Sequence, residues 1–370
     1  MGTALERQSS TARGDTDTAE LTRHIQSPYG PTQRGVSVPE TPQTHTLLSS
    51  FDLPDPRALR TTTTELAASL ADIGSAIAQL ANTKPGDDPL IPDGPEGLTA
   101  TIGIGPRVAR LVDAAGVGTT NLPAFAGDEH ISPTNRDGDI LIAVSSDSPS
   151  TLLPATDFLI SRMPGATFRW RQAGVRGHSN GSIVRNPLGF HDGVIVPRGG
   201  AQLAENVWIS DGRYAEGSIM VIRRLRLDIA RWNSLTTSHQ ESIIGRQKMS
   251  GVPLSGGKAT DAADLHAKTP DGEYLTPVRS HVRAAHPSFT GSRLMLRRSY
   301  MFDSGMQGSV PNAGLLFIAY QNDLNTFIDT QLRLDAQDDL MGFASPSASA
   351  TFLVLPGFTH TRPLGHCLTN

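Results

Sequence analysis

Strand-like and helix-like stretches alternate twice along this chain of 370 residues, once in each half. In the first half, residues 44–53, 98–104, 139–145 and 166–171 have the apolar, β-branched character of strands. Between the first two, 61–81 reads as a helix. Leu66, Leu70, Ile73, Ile77 and Leu80 recur there at spacings of four, three, four and three and share one face. Residues 85–95, rich in Pro, Gly and Asp, read as a loop, and Pro106 opens a further helix. Another helix is expected over 149–163, with Ser148 as its cap. In the second half, 218–228, 294–300, 313–321 and 351–355 read as strands, and 229–245 as a helix. A helix starting near Pro277 carries His281, and Leu324, Phe327 and Ile328 give the next one its apolar stripe. This alternation predicts an α+β fold of two ferredoxin-like domains with antiparallel sheets. The expected division is a disordered tail over 1–28, an N-terminal domain over 29–175 and a C-terminal domain over 176–370.

Composition narrows the function. A net charge of -4 gives no reason to expect nucleic-acid binding. The single cysteine, Cys367, excludes an internal disulfide and any multi-cysteine zinc or iron–sulfur site. No apolar run approaches the roughly 18 residues of a membrane span. The tail is rich in Thr, Ser, Arg, Asp and Glu, without the apolar core of a secretory signal or a twin-arginine pair. Met1-Gly2 is followed by Glu6 where myristoylation needs Ser or Thr. The expected location is cytoplasmic, or exported if a leader has been trimmed away.

Three distant stretches carry the chemistry: Gly189-Phe190-His191-Asp192-Gly193, Ser280-His281-Val282-Arg283 and Leu296-Arg297-Arg298-Ser299-Tyr300. They offer a carboxylate, an imidazole and a guanidinium. Such a set suits a haem that splits peroxide, as a proton carrier, an axial ligand and a charge stabiliser. Asp192 is the candidate acid–base group, and Gly189 and Gly193 allow a tight turn around it. His281 is the candidate ligand and His286 its local rival. On one helix the two would lie about 140° apart and could not both face a metal. A carboxylate usually orients such a ligand, and Asp323 and Asp329 are candidates. Arg297 and Arg298 point to opposite faces of a strand. Trp170, Trp208, Trp232 and the five tyrosines are candidates for passing oxidising equivalents to the surface. Gly103-Ile104-Gly105 begins like a dinucleotide motif, but Val108 stands where the third glycine belongs.

In order and spacing these stretches resemble the dye-decolourising (DyP-type) haem peroxidases. That family carries Gly-x-x-Asp-Gly, a His-Ile-Arg-like helix with the haem-binding histidine, and a Leu-Arg-Arg-Gly-like strand. Similarity extends to the Gly30–Val36 opening, to Trp170–Gly174, to Arg231-Trp232 with Gln240–Arg246, and to Gly314–Gln321. It covers about residues 29 to 357. The resemblance implies paired ferredoxin-like domains, dimeric α/β barrel-like, with haem in the C-terminal half. It selects His281 over His286 as the metal ligand, and Arg297 over Arg298 as the catalytic arginine beside Asp192. It further places Arg297, Gly193, His191 and Phe317 around one haem b per chain. Ser299, His191 and Val194 depart from the family's usual residues. The implied partners are hydrogen peroxide and an organic electron donor, with no nucleic acid and no membrane, and with a homo-oligomer left open. Alternatives are an oxidative tailoring enzyme with a dedicated substrate, a haem- or porphyrin-binding protein for iron handling, and a haem-free relative.

Overall fold

Period-two alternation of apolar residues builds a sheet that both halves share. The structure is a computed structural model and describes residues 27–54, 62–114, 119–177 and 183–369. The expected tail up to residue 26, and the expected first residue of the 61–81 helix, lie outside the described residues. The first half supplies β1 (His45–Asp52), β2 (Thr99–Ile104), β3 (Ile140–Ser146) and β4 (Thr167–Val175). The second supplies β5 (Ser218–Leu227), β6 (Leu296–Arg297), β7 (Tyr300–Gln307), β8 (Val310–Gln321) and β9 (Ala344–Val354). Among the described residues they form one nine-stranded antiparallel sheet in the order β5-β9-β2-β3-β1-β4-β7-β8-β6. Pairing of β5 with β8, from Ile219 opposite Gln321 to Arg226 opposite Gly314, closes it into a barrel. The expected α+β class with antiparallel pairing is observed. The halves meet along two short seams, β2 with β9 and β4 with β7.

Alternation along each strand sorts side chains into two cores. Leu48, Leu141, Met220, Ile222, Leu316 and Phe352 pack together inside the barrel. Their neighbours Leu47, Phe51, Ile140 and Ile142 point outward. Those outward residues meet α1 (Thr62–Asn82) and α3 (Pro149–Ile160), whose apolar faces include Leu70, Ile73, Ile77, Leu152 and Leu159. Each such side chain contributes roughly 1.5–3 kcal/mol on burial. Between them lies the short α2 (Pro106–Leu111). The glycine before it is required by close approach, because a Cβ on Gly105 would run into the Gly138 carbonyl. Packing therefore explains the Gly-x-Gly stretch.

Local chemistry alters three expectations. Ser148 stands at the N-cap of α3, but its Oγ pairs with Ser150 Oγ and not with the backbone. After α4 (Gly199–Asn206), the expected 229–245 helix is two helices, α5 (Ile229–Asn233) and α6 (Thr237–Ile244). Asp228 caps the first, accepting from Arg231 N–H at 3.0 Å. Thr236, extended at φ -65° and ψ 151°, restarts the second by accepting from His239 N–H at 3.3 Å. The expected 294–300 strand divides into β6 and the start of β7, which pair with separate stretches of β8.

A buried charge pair ties β5 to the first half. Arg223 on β5 donates from Nη2 to Asp128 Oδ1 at 2.7 Å, and from Nη1 to Asp128 Oδ2 and Ser349 Oγ at 2.9 Å each. The two side chains are 2% and 1% exposed, so removing one partner strands a charge away from water. Asp128→Ala is expected to cost about 3–5 kcal/mol. Urea denaturation of the haem-free protein measures this, and a wild-type midpoint in the variant would refute it.

Candidate active site

The outward face of β5 and β8 in the second half carries Arg223 opposite Phe317 and Leu225 opposite Leu315, cross-strand pairs on one side of the sheet. Arg297 on β6 lies opposite Ala319, so it joins the same face two residues from Phe317. These residues line a cavity of about 240 Å³ whose walls come entirely from residues 186–344. Arg298 takes the other face, where its Nη2 donates to the Pro39 carbonyl at 2.8 Å. The alternation expected for the arginine pair is thus present, with Arg297 in the cavity.

The loop with Asp192 is a small hairpin to which the Asp192 carboxylate adds a hydrogen bond with the next residue. Asn186 N–H donates to the Phe190 carbonyl and Asp192 N–H to the Val184 carbonyl, at 2.8 and 2.9 Å. Asn186 Oδ1 accepts from Leu188 and Phe190 N–H at 3.0 and 3.1 Å, which folds the turn. Gly189 and Gly193 have φ of +86° and +71°, a region costly for other residues. Arg185 ties the hairpin down, donating to the Gly189 and Lys248 carbonyls at 2.6 Å and to that of Met249 at 2.8 Å. Phe190 is buried edge-on against Trp232, 6.1 Å between ring centres. Asp192 and His191 both line the cavity, as do Gly193 and Phe317. The Asp192 carboxylate accepts from Gly193 N–H at 2.8 Å.

His281 does not sit within a helix that starts near Pro277. Ser280 is the cap and His281 the first residue of α7 (His281–Ala284), a single turn. His286 lies on no common helix with it. It caps the next one, α8 (Pro287–Thr290), accepting from Ser288 N–H at 3.2 Å, because Pro287 begins a new helix. Both histidines line the cavity, so the angle expected for one continuous helix does not apply. What separates them is the partner of Nδ1. In His286 it meets Ser288 Oγ at 2.7 Å; in His281 it meets Asp338 Oδ2 at 2.6 Å. Asp338 is fully buried at the end of α9 (Leu324–Gln337), and its Oδ1 accepts from Leu340 N–H at 2.9 Å. With Nδ1 committed, Nε2 is the His281 nitrogen available to a ligand. Asp323 and Asp329, the expected partners, are both exposed; Asp323 caps α9 by accepting from Asn325 N–H at 2.9 Å.

The donor set fits an iron porphyrin. Among the described residues no group of three His, Cys, Asp or Glu side chains could hold a metal ion. A metal bound by one imidazole here must bring its other ligands with it. The walls are apolar, including Leu188, Val282, Leu315 and Phe327. Arg297 makes no hydrogen bond or ion pair among the described residues, which leaves a guanidinium for an anionic group. Burial pulls Arg297 below its ordinary pKa, and the Asp192 carboxylate opposes that shift.

His191 adds a buried ring nitrogen. Among the described residues its Nδ1 has no hydrogen-bond partner, and the ring packs so closely on Gly251 that a Cβ there would collide with it. Burial, aided by Arg185 and Arg246, holds the His191 imidazole below its ordinary pKa. The unfolded chain therefore binds the proton first as pH falls, and stability contributed above about pH 6.5 is lost below it. His191→Gln is expected to flatten that acid limb. Denaturant titrations between pH 5 and 8 report it, and parallel limbs for the two proteins would count against it.

Asp338, Arg185 and Arg246 escaped sequence reasoning. Arg246 sits inside the Gln240–Arg246 similarity, and that was the only signal.

Comparison with known proteins shows the family. The family described as Dyp-type peroxidase, C-terminal, matches residues 184–359. A dye-decolorizing peroxidase of Thermobifida fusca is 32% identical over 298 residues, 74% of this chain and 68% of that protein. A deferrochelatase of Yersinia pestis is 32% identical over 237 residues, and the chain spans only 54% of its length. Among solved structures, an oxyferrous complex of DtpA from Streptomyces lividans superposes with a TM-score of 0.84 at 29% identity, covering 92% of this chain and 96% of that one. The chain belongs to the dye-decolourising (DyP-type) peroxidases, haem-dependent oxidoreductases that use hydrogen peroxide and organic donors.

Proposed function

We propose that the cavity takes one haem b per chain, which His281 would hold through Nε2, with Asp192 and Arg297 as the catalytic pair. The supporting observation is convergence: three residues from distant stretches line one apolar cavity, and the imidazole is already backed by Asp338. Haem iron, when bound, supplies the redox chemistry that cleaves the peroxide bond and then draws electrons from the organic donor. Asp192 takes the proton from one peroxide oxygen and returns it to the other, which leaves as water. Arg297 stabilises the negative charge that develops on the departing oxygen. Leu315 and Phe317 keep bulk water from the reacting atoms, which strengthens both effects. His191 and Gly193 form the adjoining wall.

The test is an absorbance spectrum of the protein expressed with haem supplied, followed by peroxide with a generic dye. A Soret band and sustained dye oxidation are expected. Absence of the band excludes haem binding; a band without peroxide consumption favours the second reading. That reading, haem-iron handling, draws on the deferrochelatase relatives at 30–32% identity.

A further inference from the structure

α7 is one hydrogen-bonded turn, with Ala284 N–H on the Ser280 carbonyl and Ala285 N–H on that of His281, both at 2.8 Å. Helix nucleation is unfavourable, and helices shorter than about 12 residues are marginal in water. The direction of the His281 ring therefore depends on what grips this turn from outside. Asp338 grips it through the His281 ring. Arg283, two residues on, is rotated by about 200° and faces the opposite way.

Arg283 is only 7% exposed, and among the described residues it forms no ion pair with a carboxylate. Its Nη1 donates to the Leu265 carbonyl at 2.6 Å and to that of Thr276 at 3.5 Å. Its guanidinium lies 4.2 Å from the centre of the Tyr274 ring and 5.5 Å from that of Phe289. Phe289 belongs to α8, and Leu265, Tyr274 and Thr276 to the long segment between α6 and α7. Within it, Leu275 N–H on the Ala267 carbonyl and Thr269 N–H on that of Glu273 form a small hairpin. Connections of this length without regular structure are uncommon and usually functional. The segment's other end is held by Arg246, also buried, which donates to the Gly251, Ala259 and Asp261 carbonyls. Between these two anchors, Ala262 and Ala263 form part of the cavity wall.

We infer that Arg283 is a positioning residue that clamps the one-turn helix to the 267–275 hairpin and so sets the orientation of His281 in the cavity. This rests on His281 being the axial ligand. Without the guanidinium the turn keeps its ties towards α9, Asp338 to His281 and Arg279 to Asp339 and the Ala336 carbonyl, but loses its tie to the hairpin, and both the ring's angle and its distance from the metal become variable.

The test uses the full haem-loaded chain as wild type, Arg283→Met, Arg283→Lys and Tyr274→Leu. Two readouts apply: the iron–histidine stretching band of the ferrous protein, and the rate of haem transfer to excess apomyoglobin. Arg283→Met is expected to shift or broaden the band and to speed haem loss by about tenfold, the scale for partners that orient a metal ligand. Arg283→Lys keeps the charge but not the flat fork, so it should shift in the same direction by less. Tyr274→Leu leaves His281, Asp338 and Arg283 in place and should also shift it, which keeps the test decisive if Arg283→Met does not fold. A wild-type band that stays unmoved in the variants, with haem loss unchanged, overturns the clamp and leaves the ligand intact. A wild type with no such band overturns both.

Discussion

Replacing Asp192 by alanine is expected to slow peroxide cleavage by about 10²–10⁴-fold while haem stays bound, the usual size of a lost general acid–base group. The hairpin that carries Asp192 explains why the effect should be so selective. Its turn is held by Asn186 and the Val184 carbonyl, and its position by Arg185. The Asp192 carboxylate contributes only the bond from Gly193 N–H. Asp192→Asn can keep that bond while losing the proton carrier, so it should be nearly as slow as alanine. Single-turnover mixing of the ferric protein with peroxide separates this step from donor oxidation. A rate within a few-fold of wild type in both variants would remove Asp192 from the mechanism. Arg297→Leu should be slow for a different reason, the loss of a fixed charge close to the reacting oxygens.

Legibility of this chain followed the range of the interactions involved. The 61–81 helix was readable because its apolar stripe is long and strictly periodic, and the observed α1 spans Thr62–Asn82. That Arg297 and Arg298 face opposite ways was readable too, since strand alternation acts between adjacent residues, while the choice of Arg297 came from the family resemblance. Breaks inside elements were harder. Asp228 and Thr236 each offer a side-chain oxygen to a new helix start, which outweighs the apolar pattern that ran through 229–245. Closure of the barrel was legible only through the family resemblance and not from local pattern, because it depends on β5 meeting β8 across about a hundred residues, as in the Ile219–Gln321 pair. The partner of His281 was hidden for the same reason. Asp338 lies beyond the end of α9, and nothing in its local sequence distinguishes it from Asp323 or Asp329. Only the fold buries it against the imidazole.

His281→Ala is expected to lose the Soret band or weaken it severely, even when haem is supplied during expression. The cavity has apolar walls and the Arg297 guanidinium to retain a porphyrin, but among its candidate residues only His281 combines an imidazole with a buried carboxylate partner. His286 cannot easily substitute, because its Nδ1 is engaged with Ser288 as the cap of α8. Asp338→Asn gives the graded counterpart. It keeps a hydrogen-bonding atom beside Nδ1 but removes the charge that makes Nε2 a stronger donor. Haem should still bind, with affinity lower by about 10–100-fold. The two variants together distinguish ligation from packing. If His281 were only a wall residue, alanine would cost little more than the lost contact, and Asp338→Asn would leave haem affinity unchanged. Haem titrations of the apo proteins measure both quantities, and a full-strength, unshifted Soret band in His281→Ala would assign the iron to another side chain.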